Sequence, residues 1–291
     1  MTRPIKDLAK SVHTRLLNLA KQTGRPFSEL LQLYAMERFL YRLGHSSQAP
    51  NFVLKGGLML RVWKAPITRP TRDVDLLGRT LNTVANLVSI VRQLCVEEVE
   101  PDGMRFDPTT VAGSVINEDA EYNGVRVKFA GLLGVARASM QIDVGFGDAV
   151  VPAPVDIEVP TLLGYQRETT IAEKFHAMVV LGSINGRMKD FYDLWLLAQN
   201  FDFEAQQLTR AITATFAARE TSLEANPIAL TPGFAASSEV QKRWEAFLKK
   251  SALTDAPPSF AEIVLVIRGF LSPVVNPPVA GRWRRGGPWS S

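Results

Sequence analysis

Asp73 and Asp75 stand one residue apart in TRDVDLLG, whose other members Val74, Leu76 and Leu77 belong in a strand. Alternate residues of a strand share a face, with Cα atoms about 6–7 Å apart, so the two carboxylates point the same way. Buried together without partners they would repel each other and lose hydration. A hard divalent cation removes both costs, because Mg²⁺ takes carboxylate oxygens at about 2.0–2.1 Å, and the pair then serves phosphate chemistry. The alternative is an exposed edge strand with two solvated aspartates. Two further features bear on the choice. Gly56 and Gly57 lie between a strand-like run (52–54) and a helix-like run (58–63). Backbone N–H groups and a helix N-terminus can approach a phosphate there, or the glycines simply make a tight turn. Asp143 in QIDVGFGD is flanked by Ile142 and Val144 and followed by glycines, whereas Asp148 reads as a turn residue beyond the strand. A third carboxylate on an adjacent strand suits a site with two ions about 3.5–4 Å apart.

A second group of charges lies downstream in ETTIAEKFHAMVVLGSINGRMKDFYDLWLL. Ile171, Phe175, Met178 and Val179 form an apolar helical stripe, which sets Lys174 at its rim. Asp190 and Asp193 open the next helix and share a face. Alone, Lys174 reads as a solvated helix lysine, and Arg187, Lys189 and Asp190 as a surface ion-pair cluster worth under about 1 kcal/mol per pair. His176 reads as a packing residue. Near the end, GRWRRGGPW sets Arg282, Arg284 and Arg285 around Trp283, with Trp289 close behind. Such a tail can contact unpaired bases and phosphates of RNA, or is simply docked on the protein or disordered.

The elements that must position these residues follow from periodicity. Ile5, Leu8, Val12, Leu16 and Leu19 predict a helix that stops near Gly24, and a second follows Pro26 with Ser28 as its cap and Gly44 as its end. Strands are expected at 52–54, 72–77, 125–129 and 140–144, with a helix at 83–99. Pro152, Pro154 and Pro160 mark PAPVDIEVP as a linker. Helices follow at 169–181, 188–200, 203–218, 240–250 and 260–271, then an irregular tail from Ser272. The organisation expected is an N-terminal helical segment (1–48), a core (49–160) and a helical C-terminal domain with the Arg/Trp tail (161–291).

Composition narrows the function class. With 46% hydrophobic and 21% charged residues the chain is globular. A single cysteine and three histidines leave little for a disulfide framework or a soft-metal centre. No apolar run approaches the roughly 20 residues that span a bilayer, so a cytoplasmic protein with no membrane partner is expected. The net charge of +4 is compatible with a polyanionic partner without demanding one.

KGG, TRDVDLLG, IDVGFGD, AEKFHAM and RMKDFYDLW follow one another in that order from about Phe52 to Leu197. As a set they resemble the AbiEii/AbiGii toxin family, within the nucleotidyltransferase superfamily of DNA polymerase β. The resemblance implies an α+β fold: a nucleotidyltransferase core with a mixed β-sheet flanked by helices, plus N-terminal helices and a helical C-terminal region. It implies Mg²⁺ (or Mn²⁺) on Asp73 and Asp75, with Asp143 as a third ligand and general base. Gly56 and Gly57 would form the phosphate-side turn, with Thr71 at the site's edge. Lys174 would contact the triphosphate of an NTP. Asp190 would be the essential last aspartate, orienting Lys174 or Arg187; Asp193, one turn on, shares the candidacy. One departure stands out: the superfamily commonly has Gly-Ser in the turn, and this chain has Gly57 where the serine would be.

The activity implied is transfer of NMP from an NTP to an RNA acceptor, the 3′ end of tRNA, with release of pyrophosphate. The setting implied is a type IV-like toxin–antitoxin or phage-defence system, with an antitoxin encoded nearby that is a DNA-binding transcriptional regulator. Three other readings use the same residues: NMP transfer to protein, a non-catalytic nucleic-acid-binding module, and transfer of the terminal phosphate.

Overall fold

In the computed structural model, described over residues 7–66, 69–116, 124–158, 161–224, 226–275 and 280–290, the chain divides into two units. One comprises residues 1–62, 70–147 and 155–164, and the other residues 63–69, 148–154 and 165–291. Ile5 and Pro160, assigned above to the first helix and to a linker, lie outside the described residues.

In the first unit, α1 (Leu8–Thr23) starts where the Asp7 side chain accepts from the Lys10 N–H at 2.9 Å, and it stops at Gly24 with φ 69°. α2 (Phe27–His45) carries a buried face of Leu30, Leu31, Ala35, Met36, Phe39, Leu40 and Leu43, spaced three and four apart. Two expectations about α2 need correction. Pro26 is the cap residue and Ser28 lies inside the first turn. Gly44 does not end the helix: a Cβ there would stand 2.5 Å from the Thr161 carbonyl oxygen, so glycine serves close approach.

β1 (Phe52–Lys55) runs into a 3₁₀ turn at Gly56–Leu58 and a single helical turn, α3 (Met59–Val62). The unit continues with β2 (Val74–Gly78), α4 (Val84–Cys95), β3 (Met104–Ile116), β4 (Gly124–Leu133) and β5 (Ala136–Gly145). β6 (Val155–Glu158) and β7 (Thr161–Gly164) complete it. Among the described residues these strands form a seven-stranded sheet in the order β3-β4-β5-β2-β1-β7-β6. β2 pairs with β5, and β1 with β7, in parallel, while the other neighbours are antiparallel. The mixed sheet flanked by helices is the architecture expected. α2 and α4 cover one face of β3–β5. Phe39 of α2 meets Phe106 at 5.6 Å and Phe129 at 5.1 Å. A Cβ on Gly113 would come within 2.8 Å of Val84 and Val88 of α4. A buried fork from Arg42 to Asp102 (2.6 and 3.2 Å) ties α2 to the turn before β3.

Three readings of this unit change. β3 was not expected, because Asp107 and Pro108 break its pattern; the ladder is irregular between Asp107 and Ala112, where a proline is tolerated. PAPVDIEVP carries β6, and β7 beyond it pairs with β1, so this segment belongs to the sheet. α4 stops at Cys95, short of Val99.

The second unit is mostly helical. It contains α5 (Arg167–Leu181), α6 (Met188–Asn200), β8 (Phe203–Glu204), α7 (Ala205–Ala218), α8 (Pro232–Ala235), α9 (Ser238–Ser251) and α10 (Phe260–Val275). Aromatic side chains hold it together: Phe260 meets Phe191 at 5.0 Å edge-on and Trp244 at 5.7 Å. The tail is not irregular. β9 (Arg282–Trp283) and β10 (Trp289–Ser290) add to β8 as a three-stranded sheet. No described helix is long and apolar enough to cross a membrane.

Candidate functional site

The register of the first unit lines up four charges. Lys55 of β1 is the cross-strand partner of Asp75, Asp75 pairs in register with Asp143 of β5, and Asp143 with Arg126 of β4. Paired residues share a sheet face, and neighbouring strands lie about 4.7–4.9 Å apart. The row therefore reads plus, minus, minus, plus across β1-β2-β5-β4. Asp73 is half-buried immediately before β2, and with Asp75 it alternates with the buried Val74 and Leu76, as strand geometry requires.

Asp143 is held firmly. Arg126 donates to both its oxygens, Nε to Oδ1 at 2.8 Å and Nη2 to Oδ2 at 2.7 Å, and Gln141 donates to Oδ2 at 3.2 Å. A bidentate fork of this kind is among the stronger side-chain pairs. Gln32 of α2 fixes the chain just upstream, its amide donating to the carbonyls of Arg72 (3.1 Å) and Ser139 (3.0 Å). Thr71 lies in that pinned segment, half-buried, before β2.

Gly56 adjoins the row. Its φ is 71°, and a Cβ there would lie 2.0 Å from Asp75 Oδ2, so both backbone and space demand glycine. Gly57 is buried in the same turn. The helix beyond is one turn long, not the longer element expected, so no strong helix dipole faces the glycines.

Carboxylates are the donor set a hard divalent cation prefers, and Asp73 and Asp75 fit that chemistry. Among the described residues, however, no three His, Cys, Asp or Glu side chains are grouped to hold a metal ion. Asp143, the expected third ligand, has its oxygens engaged by Arg126.

The second unit gathers the other charged candidates. α5 presents Lys174 and α6 presents Asp190 and Asp193. Lys174 Nζ donates to Asp190 Oδ1 at 2.7 Å and stands 2.8 Å from Asp193 Oδ2. Arg69 grips Asp193 with both Nε and Nη2 at 2.8 Å. Arg187, exposed at the start of α6, places Nε 2.9 Å from Asp190 Oδ2 as an ion pair. Hydrogen-bond alignment is lacking there, and that buried oxygen has no hydrogen-bond partner among the described residues. Burial would depress the Lys174 pKa, but Asp190 and Asp193 outweigh it and hold it above the ordinary lysine value. Burial would likewise raise both aspartates; Lys174 and Arg187 lower Asp190, and Arg69 and Lys174 lower Asp193. Lys174 is thus a fixed cation with two of its three N–H donors in use.

His176, two residues from Lys174, is a packing residue. Arg219 Nη1 donates to its Nδ1 (3.1 Å) and its Nε2 pairs with Thr221 Oγ1 (2.9 Å). Burial and Arg219 lower its pKa to about 4.

In the tail, Trp283 is 4% exposed, its ring meets Phe270 at 4.9 Å, and its Nε1 donates to the Ala198 carbonyl. That ring anchors the tail and is not on offer to a base. Arg282 pairs with Glu204, while Arg284 and the Arg285 backbone N–H reach Asp202.

Lys55, Arg126, Gln141, Gln32 and Arg69 escaped the sequence reading. Arg126 carried a signal, since VRVKF alternates and puts Arg126 on the face away from the core. Register alone could pair it with Asp143. Arg69 carried none.

A family profile described as "Nucleotidyl transferase AbiEii toxin, Type IV TA system" matches residues 38–266. Among curated protein sequences no relative matches. The crystal structure of JHP933 from Helicobacter pylori is similar over 84% of this chain and 93% of its own, with TM-score 0.50 and 15% identity. A second H. pylori structure, of a candidate nucleotidyltransferase, is similar over 82% and 91%, with TM-score 0.47 and 15% identity. At this identity the first likeness speaks for the fold alone.

Proposed function

The chain belongs to the AbiEii family of nucleotidyl transferase toxins of type IV toxin–antitoxin systems, and from that premise we propose that it transfers NMP from an NTP to RNA at the 3′ end of tRNA. The observation that carries this reading is the in-register pair Asp75 and Asp143 beside Asp73 and Gly56. The acceptor hydroxyl oxygen attacks the α-phosphorus, the bond to the β-phosphate oxygen breaks, and pyrophosphate leaves with the electron pair. Asp73 and Asp75 are the residues that hold Mg²⁺ or Mn²⁺, which when bound neutralises charge on the transferring phosphate. Asp143 accepts the hydroxyl proton once an oxygen is released from Arg126. Gly56 and Gly57 form the phosphate-side turn, and Thr71 borders it. In the second unit Lys174 offers a compact positive charge to a phosphate, a task suited to lysine. Asp190 orients Lys174 and Arg187. Asp193, gripped by Arg69, anchors the cluster instead of reacting.

In this reading the toxin acts in the cytoplasm, in phage defence, beside an antitoxin that is a DNA-binding transcriptional regulator. The test is incubation of the purified protein with total RNA, Mg²⁺ and each α-³²P-NTP in turn, beside Asp75→Asn and Lys174→Ala. Label in a small-RNA band that disappears with both substitutions supports the reading. Label in protein alone replaces RNA by a protein acceptor. No label from a folded, toxic wild type replaces the enzyme by a nucleic-acid-binding module.

A further inference from the structure

We infer that Arg126 is a resident counter-ion for the carboxylate row, competing with the divalent cation for Asp143 and so setting how tightly that cation is held. The inference rests on the reading that Asp73 and Asp75 hold a divalent ion and extends it by bringing Asp143 to that ion, and it concerns Arg126, which in that reading does no more than release Asp143.

Asp75 and Asp143 are nearest neighbours on parallel strands, and like charges so close repel each other. Something must offset that repulsion when no ion is present. Arg126 is placed to do so: its fork takes both Asp143 oxygens at 2.8 and 2.7 Å, and Gln141 takes one of them as well. The pair is partly screened from solvent, with side-chain exposures of 29% for Arg126 and 17% for Asp143. It is therefore neither a loose surface bridge nor an irretrievably buried one. Oδ2 accepts from both Arg126 and Gln141, whereas Oδ1 accepts from Arg126 and keeps a second lone pair for a metal ion. A guanidinium beside a dication on the same carboxylate is nonetheless repelled, so the two compete for Asp143. Arginine suits this task better than lysine, because its planar fork spans both oxygens and it never deprotonates.

The experiment uses the full chain and Mn²⁺ alone, without nucleotide, with affinity read by calorimetry or by the paramagnetic resonance of free Mn²⁺. Arg126→Gln is expected to bind Mn²⁺ about tenfold more tightly than wild type, the equivalent of one charge-assisted hydrogen bond removed from the competitor. Arg126→Lys is expected between the two, since an ammonium cannot grip both oxygens. Adding Asp143→Asn to Arg126→Gln should return the affinity to the wild-type level or below. Unchanged or weaker Mn²⁺ binding by a folded Arg126→Gln protein, checked by circular dichroism, overturns the inference. Should that variant not fold, Arg126→Lys at wild-type affinity overturns it equally. Asp75→Asn separates the two levels: undiminished Mn²⁺ affinity there removes the underlying reading and the inference with it. An Asp75-dependent site that ignores Arg126 overturns the inference alone.

Discussion

The carboxylates on the sheet and the carboxylates on α6 are the same side chain in opposite circumstances. Asp75 and Asp143 sit side by side, each flanked outward by a cation, in a row open enough that Asp143 keeps 17% side-chain exposure. Asp193 is wholly buried, and Asp190 nearly so, with Lys174, Arg69 and Arg187 meeting them at 2.7 to 2.9 Å. In the first case like charges adjoin, with a cation on each outer flank; in the second, opposite charges interleave. Exchange with an incoming ion belongs to the first arrangement and fixed geometry to the second. Substitutions that remove one charge at a time should therefore separate loss of chemistry from loss of fold.

The largest effect is expected at Asp75. Asp75→Asn keeps the shape and deletes the charge, and should reduce NMP transfer by at least about 10²–10³-fold, the scale for losing one electrostatic stabiliser. Relief of repulsion with Asp143 should keep the melting temperature within about 2–3 °C of wild type. A large fall in melting temperature with transfer retained would make the row structural and erase the contrast.

Asp193→Asn should do the reverse. It strands Arg69 and Lys174 without their shared buried partner, a change that costs about 3–5 kcal/mol in comparable settings. Denaturant unfolding of Asp193→Asn beside Asp190→Asn gives the measurement. Asp190→Asn should lose transfer with the milder stability change, since one of its oxygens is in an ion pair that is not aligned as a hydrogen bond. Equal losses of stability would remove the division of labour proposed for the two.

How much of this was legible beforehand depended on whether local pattern or long-range register decided it. β1 and β2 announce themselves by apolar runs, and α6 has the expected bounds of Met188 and Asn200. Asp73, Asp75 and Asp143 could be singled out because charge in an apolar segment needs a reason, whereas Lys174, Asp190 and Asp193 stood out only through the family resemblance of their segments. Arg126 could not be matched to Asp143 without knowing that β4 pairs with β5 in that register. Lys55 had the same disadvantage with Asp75. β3 was hidden by Asp107 and Pro108, residues of turns that here mark an irregular ladder. The tail misled because Gly, Pro and Arg usually signal an open chain, whereas Trp283 and Trp289 pack on Phe270 and hold it down.

Gly56→Ala probes the sheet side of the comparison without touching a charge. The added Cβ meets Asp75 Oδ2, and the backbone is in the left-handed region, so Asp75 must move or the turn must open. A cost of about 1–3 kcal/mol is expected from the backbone alone. Because Asp75 is displaced, transfer should fall further than stability does. Transfer at the wild-type level would mean that the position of Asp75 is not critical.

The smallest effect is an acid limb that belongs to the helical unit. Folding holds the pKa of Asp190 and Asp193 below the ordinary 3.8, so their contribution is present above that pH and is lost as the pH falls below it. The Lys174 pKa is held above 10.5, so its contribution is present below that pH and is lost only as the pH rises through the folded value. Between these limits the cluster is flat. His176, on the same helix as Lys174, is not: its pKa falls from 6.5 to about 4 on folding, so its contribution is present above pH 6.5 and is lost as the pH drops toward 4. Thr221 donates to the Arg219 carbonyl, which leaves His176 Nε2 as donor to Thr221 and Nδ1 as acceptor from Arg219. Glutamine can supply one donor and one acceptor in that place without titrating. His176→Gln should therefore match wild type in urea midpoint at pH 7 and lose less of it between pH 6.5 and 4.5. A His176→Gln protein that loses its midpoint as steeply as wild type over that range would take the acid limb away from His176.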